Sequence, residues 1–244
     1  MGLSAKPDLD YRFFDHAEYL DGFIEALGLR DLTLGLHDWG SGLGFNYAEQ
    51  HPDRVERIAF MEAILEPTRW RDTPLPLAWL FKRFRDPVKG HRMNAENNFF
   101  VKRLLPMMVS RRLTPKEKAE NAAPFPDVAS RKPVEQWPRE IPFDNEPADV
   151  TAVVNAYNLW LRRSPIPKLF LWAKPGAIIR GEMAARRIAA MFPNPESVFV
   201  GKDRHYIQED QPEAIGEALS DWLSRTARGL HYRLLHGAPR RSTR

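Results

Sequence analysis

Asp38 lies inside the segment Thr-Leu-Gly-Leu-His-Asp-Trp-Gly-Ser-Gly-Leu-Gly-Phe at residues 33–45, where an apolar run meets a glycine-rich, helix-compatible one. That order suits a strand, a sharp turn and a helix, with the carboxylate at the apex. Small neighbours such as Gly40 and Gly42 fit the crowding of such a turn. A carboxylate is ionised at neutral pH and can attack carbon without a base to activate it. On these few residues alone the simpler reading is a strand-end residue or a helix N-cap; the nucleophile reading draws its weight from the rest of the chain.

The surrounding pattern predicts the elements that would hold it. Apolar residues at Phe13, Phe14, Tyr19, Leu20, Phe23, Ile24 and Leu27 recur at helical spacing, and Gly28 ends that helix. A buried parallel strand is expected over 32–36, a helix over 40–51 and a second strand over 55–61. Glu62 then falls at a C-terminal strand end, where open α/β sheets carry their chemistry. From Pro67 to about Arg163 prolines are dense and apolar residues come in short helical groups. Strands over 168–172 and 197–200 and helices over 181–192 and 212–224 complete the pattern. This divides the chain into an α/β core (1–66 and 164–224), an inserted helical cap (67–163) and a basic tail (225–244).

The 244 residues can bury one large core, and 43% hydrophobic with 28% charged residues is ordinary for a globular protein. No apolar run approaches the ~18 residues of a membrane span, and no secretory signal pattern opens the chain. Cysteine is absent, which excludes disulfides, thiolate catalysis and cysteine metal sites. A cytoplasmic enzyme is the expectation. The formal net charge of +4 is more than matched by six tail arginines, Arg225, Arg228, Arg233, Arg240, Arg241 and Arg244, with no acid after Asp221. The expectation is a solvated terminus with no nucleic-acid or membrane partner.

The stretch from Leu36 to Phe45, followed by Arg57-Ile58-Ala59-Phe60-Met61-Glu62, resembles the haloalkane dehalogenase family of α/β-hydrolases. Gly201-Lys202-Asp203-Arg204-His205-Tyr206-Ile207-Gln208-Glu209-Asp210 resembles that family's catalytic-histidine loop. Asn98-Phe99-Phe100, Leu105-Pro106 and Gln136-Trp137-Pro138-Arg139-Glu140-Ile141-Pro142 match in pattern too, so the likeness runs to about Trp222.

The resemblance implies an α/β-hydrolase core with a mostly parallel sheet and a helical cap. Asp38 would displace halide to form an alkyl ester, and His205 would activate the water that hydrolyses it. Glu62 would orient the imidazole, and Trp39 would donate its indole N–H to the halide. No metal or cofactor is required; the partners would be a small apolar halogenated substrate, water and halide ion. The loop after Trp172, Ala173-Lys174-Pro175-Gly176-Ala177, offers no carboxylate to compete with Glu62. His37 reads as structural and Ser41 as a poor nucleophile. Phe81, Phe84, Phe99, Phe100, Trp79 and Trp137 supply aromatic surface for a pocket or for cap core, and Arg204 is expected to bring a cation near the pocket mouth.

Other readings stay open on the same scaffold: a coelenterazine-type luciferase (a monooxygenase), an epoxide hydrolase, or a truncated and inactive α/β-hydrolase. The epoxide hydrolase would want two cap tyrosines where the cap has Tyr157 alone, and a fluoroacetate dehalogenase would want Arg in place of Trp39. The family's opening strands and its His-Gly-Asn-Pro loop have no counterpart in these residues. With those N-terminal strands missing, the strand at 32–36 would have an unpaired, apolar edge.

Overall fold

The computed structural model describes residues 2, 4–193 and 195–236. Four strands, β1 (Leu32–His37), β2 (Val55–Ala63), β3 (Lys168–Pro175) and β4 (Pro195–Asp203), form one parallel sheet in the order β1-β2-β3-β4. Parallel strands need crossovers. Helix α2 (Asp38–Gln50) joins β1 to β2, and α9 (Gly181–Ala189) joins β3 to β4. Between β2 and β3 the chain makes the helical insertion, which includes α3 (Leu75–Arg85), α4 (Pro87–Gly90), α5 (Leu105–Met107), α6 (Pro115–Ala122), α7 (Lys132–Glu140) and α8 (Ala148–Leu161). Helix α10 (Ile207–Asp210) and α11 (Pro212–His236) close the chain.

The central strands are apolar on both faces because both faces are covered. Phe60 pairs with Phe170 in register, and their rings stack at 5.2 Å in the core shared with Phe45, Tyr157 and Phe192. Their neighbours Ala59, Leu169 and Leu171 point to the other face, against Ile215 and the fully buried Trp222 of α11.

Four details differ from the sequence reading. Helix α1 (Phe13–Ala26) buries Phe13, Ala17 and Ile24, whereas Tyr19, Phe23 and Leu27 are 61%, 58% and 57% exposed. The helix carries two apolar stripes, and spacing alone does not say which one faces the core. Strand β4 extends through Asp203 rather than ending near Val200, because Gly201, Lys202 and Asp203 find partners in Ala173, Lys174 and Pro175. Crowding behind the elbow falls at Gly44, where a Cβ would stand 2.4 Å from Leu36, and not at Gly40, which has open space around it. Helix α11 continues past Ser224 to His236, and the tail arginines Arg240, Arg241 and Arg244 lie outside the described residues. Among the described residues no helix is long and apolar enough to cross a membrane.

Candidate active site

Asp38 is the first residue of α2 and has φ +46°, in the left-handed region that a side chain seldom adopts. Ser41 braces this strained apex. Its buried hydroxyl donates to the Asp38 carbonyl and accepts from the Ile64 amide at 2.9 Å, tying the elbow to the end of β2. A hydroxyl committed in both directions is no nucleophile.

Glu62, near the end of β2, is buried and also left-handed, at φ +40°. Its Oε2 accepts from the amides of Ala177 and Ile178 at 2.9 and 2.7 Å, and its Oε1 from that of Ile179 at 3.2 Å. The loop after β3, empty of carboxylates, thus wraps its backbone around the acid from the neighbouring strand. Gly176 makes this possible: at φ +68° it turns where a Cβ would lie 2.1 Å from the Ile179 carbonyl and 3.1 Å from Glu62.

His205 follows β4 and is brought to both acids. Its Nδ1 is 3.3 Å from Glu62 Oε2 and its Nε2 is 3.6 Å from Asp38 Oδ1. The second distance is too long for a hydrogen bond. Burial is the largest single influence on the ring and favours the neutral form. The Glu62 hydrogen bond and the charges of Asp38, Glu62 and Asp203 outweigh it, so the pKa stands above that of an ordinary histidine. His37 props the same loop, its Nε2 lying 2.9 Å from the His205 carbonyl. Burial and then the nearby His205 charge lower the His37 pKa.

The histidine loop is fastened to the insertion. The amides of His205 and Tyr206 both reach the Met108 carbonyl, at 3.1 and 3.3 Å. The amides of Ser110 and Arg111 donate to Asp210, and the Ser110 hydroxyl donates to Asp203 at 2.8 Å. Arg204 is exposed and donates to the Met107 carbonyl, and it is not among the residues lining the cavity.

Asp38, Trp39 and His205 border a cavity of about 390 Å³ between the sheet and the insertion. Its wall is mostly apolar, with Phe81, Phe100, Leu104, Trp137 and Ile141 among its residues. Of the other aromatics singled out from sequence, Phe84 and Phe99 pack against each other and Trp79 is exposed beneath Arg83. Tyr157 is fully buried and spends its hydroxyl on the Ile64 carbonyl at 2.6 Å, away from the cavity. Trp39 lies 4.7 Å from Trp137, ring to ring, and its indole N–H donates to the Trp137 carbonyl at 3.1 Å.

A larger space of about 930 Å³ shares Leu77, Phe81, Ile141, Ala177 and Ile178 with this cavity. Its other walls carry Glu66, Arg69, Asp72, Asp144, Arg180 and Arg187, and it touches neither Asp38 nor His205. Of the two, only the smaller, drier cavity is bordered by Asp38 and His205. Among the described residues no cluster of three histidine or acidic side chains is placed to hold a metal.

The amide cradle on Glu62, the Ser41 brace and the placement of Tyr206 in the cavity wall escaped the sequence reading. Amides carry no sequence signal, and Tyr206 was visible only as a motif member.

Comparison with known proteins agrees with this architecture. The alpha/beta hydrolase fold family matches residues 2–212. A haloalkane dehalogenase of Mesorhizobium japonicum is 45% identical over 224 residues, covering 91% of this chain and 72% of the relative. One from Sphingobium indicum is 42% identical over 231 residues, covering 92% and 77%. Among solved structures, the haloalkane dehalogenase DbeA from Bradyrhizobium elkani superposes with a TM-score of 0.91 at 39% identity, over 93% of this chain and 79% of that one. The putative ancestral haloalkane dehalogenase AncHLD2 gives 0.89 at 41% identity, over 92% and 79%. With its parallel sheet, its left-handed Asp38 and these relatives, the chain belongs to the haloalkane dehalogenase family of α/β hydrolases.

Proposed function

We propose that this protein hydrolyses haloalkanes to alcohol and halide, with Asp38 as nucleophile, His205 as general base and Glu62 as the acid that positions His205. The observation carrying this reading is His205 standing between the two carboxylates, 3.6 Å from Asp38 and 3.3 Å from Glu62, at the wall of an apolar cavity. An apolar chamber suits an uncharged alkyl halide and leaves the attacking carboxylate poorly hydrated.

In the first step an Asp38 oxygen bonds to the carbon bearing the halogen, and the carbon–halogen bond breaks with its electron pair leaving on halide. Trp39 can stabilise that charge once its N–H turns from the Trp137 carbonyl to the departing ion. Ester formation also removes the Asp38 charge, one of the influences holding His205 protonated. The ring is thereby shifted toward the neutral base needed next. In the second step His205 Nε2 takes a proton from water as its oxygen attacks the ester carbonyl. The imidazolium is held by Glu62, and the N-terminus of α2 lies beside the developing oxyanion. The tetrahedral intermediate then breaks its bond to the alkoxy oxygen, which leaves as alcohol with the proton returned by His205, and the Asp38 carboxylate is restored.

Incubation with short bromo- and chloroalkanes tests the reading. Halide and the matching alcohol should appear in equal amounts, and a folded sample that releases neither would overturn it.

A further inference from the structure

A breaking carbon–halogen bond places negative charge on an atom that an apolar chamber solvates poorly, so a donor already free to meet it is valuable. The donors around this cavity are mostly engaged. Trp39 is bonded to the Trp137 carbonyl, and His37 Nε2 lies on the His205 carbonyl. The amides of Ala177 and Ile178 are held by Glu62. Tyr206 differs. It is half-buried and lines the cavity, its ring 4.8 Å from that of His205 and 5.7 Å from that of His37. Its backbone is fixed by the Met108 carbonyl, yet its phenol makes no hydrogen bond among the described residues. Burial first, and the neighbouring Asp38 charge second, raise the phenol pKa, so the group keeps its proton.

We propose that the Tyr206 hydroxyl is a halide-stabilising donor of this site, hydrogen-bonding the leaving halogen as the Asp38 oxygen–carbon bond forms. The proton stays on tyrosine throughout; halide departs with the bonding pair and only the hydrogen bond strengthens. The assignment rests on the dehalogenase reading above. It differs from the Trp39 role in needing no resting contact to be broken. Trp39 and Tyr206 would then approach the ion from the elbow and from the histidine loop.

Tyr206→Phe keeps the ring and deletes the donor. One hydrogen bond to a charged group corresponds to roughly a ten- to hundredfold effect. For matched chloro- and bromoalkanes, kcat/KM should fall more for the chloride, the poorer leaving group, lowering the chloride-to-bromide ratio about tenfold. Bromide should also bind the variant about tenfold more weakly, read by quenching of tryptophan fluorescence. Should the variant fold poorly, 3-fluorotyrosine placed at position 206 provides a second reading: its ¹⁹F resonance should shift on bromide binding. An equal loss for both substrates, with bromide affinity or the ¹⁹F signal unmoved, would overturn the Tyr206 assignment while leaving the dehalogenase reading intact. Wild-type protein releasing halide from neither substrate would overturn both.

Discussion

His205 Nδ1 lies 3.3 Å from Glu62 Oε2 across 143 residues of sequence, and that same oxygen is held by the amides of Ala177 and Ile178. The acid is thus fixed by backbone before it meets the imidazole, so its geometry does not depend on His205. Glu62→Gln should keep the fold but weaken the hold on the imidazolium. Turnover is expected to fall roughly 10²–10⁴-fold, the usual worth of positioned acid–base catalysis. Rapid-mixing measurements should place the loss in ester hydrolysis, with a burst of halide retained. A variant that loses the burst as well would make Glu62 a participant in alkylation.

The Asp38 charge helps raise the His205 pKa against burial, which alone would lower it. Asp38→Asn should therefore move the His205 titration downward, leaving burial opposed by Glu62 and Asp203 alone. NMR of the imidazole across pH measures this directly. A value unchanged or raised in the variant would mean that Asp38 does not govern the ring. For turnover the sign follows: the base must be neutral, so activity limited by ester hydrolysis is lost as pH falls through the pKa of His205 in the ester.

Ser41 separates a structural hydroxyl from a nucleophilic one. Ser41→Ala leaves the buried Ile64 amide without its acceptor and the Asp38 carbonyl without its donor. Each unmet buried group costs about 1–3 kcal/mol, and each kcal/mol lowers Tm by ~2–4 °C in a domain of this size. Calorimetry should register that fall while halide release persists. Abolished turnover at unchanged Tm would make Ser41 a chemical participant.

β1 pairs with β2 along one edge and, among the described residues, with nothing along the other. Thr33 and Gly35 are exposed there, and Tyr19, Phe23 and Leu27 present an apolar stripe on α1. Open strand edges and apolar patches invite association. The 244-residue chain is expected to self-associate with rising concentration, and Thr33→Lys combined with Phe23→Glu should suppress this. Light scattering that finds a monomer at every concentration would contradict the expectation.

Much of the site was legible because its carriers are rare residue types at diagnostic places: an Asp between a strand and a glycine-rich helix, a Glu at the next strand end, a His after the last strand. What escaped notice depends on tertiary partners. The 177–179 amides act only because Gly176 turns them inward. The polar end of β4 is a strand only because β3 offers partners for Gly201 and Lys202. The buried face of α1 is chosen by what packs against it, with Phe13 meeting Trp39 at 5.8 Å. Arg204 donates to a backbone carbonyl of the insertion, Met107, a partner that only the folded chain brings near.

The two-step role of Asp38 and His205 is tested most directly by intact-mass spectrometry of His205→Phe after incubation with a bromoalkane. Asp38 needs no base to attack, so the first step should proceed and the second stop. The account predicts a mass increase of one alkyl group, mapped to Asp38 and absent from the Asp38→Ala, His205→Phe double variant. No adduct on His205→Phe, in a sample whose wild type releases halide, would contradict it, as would an adduct that survives the loss of Asp38.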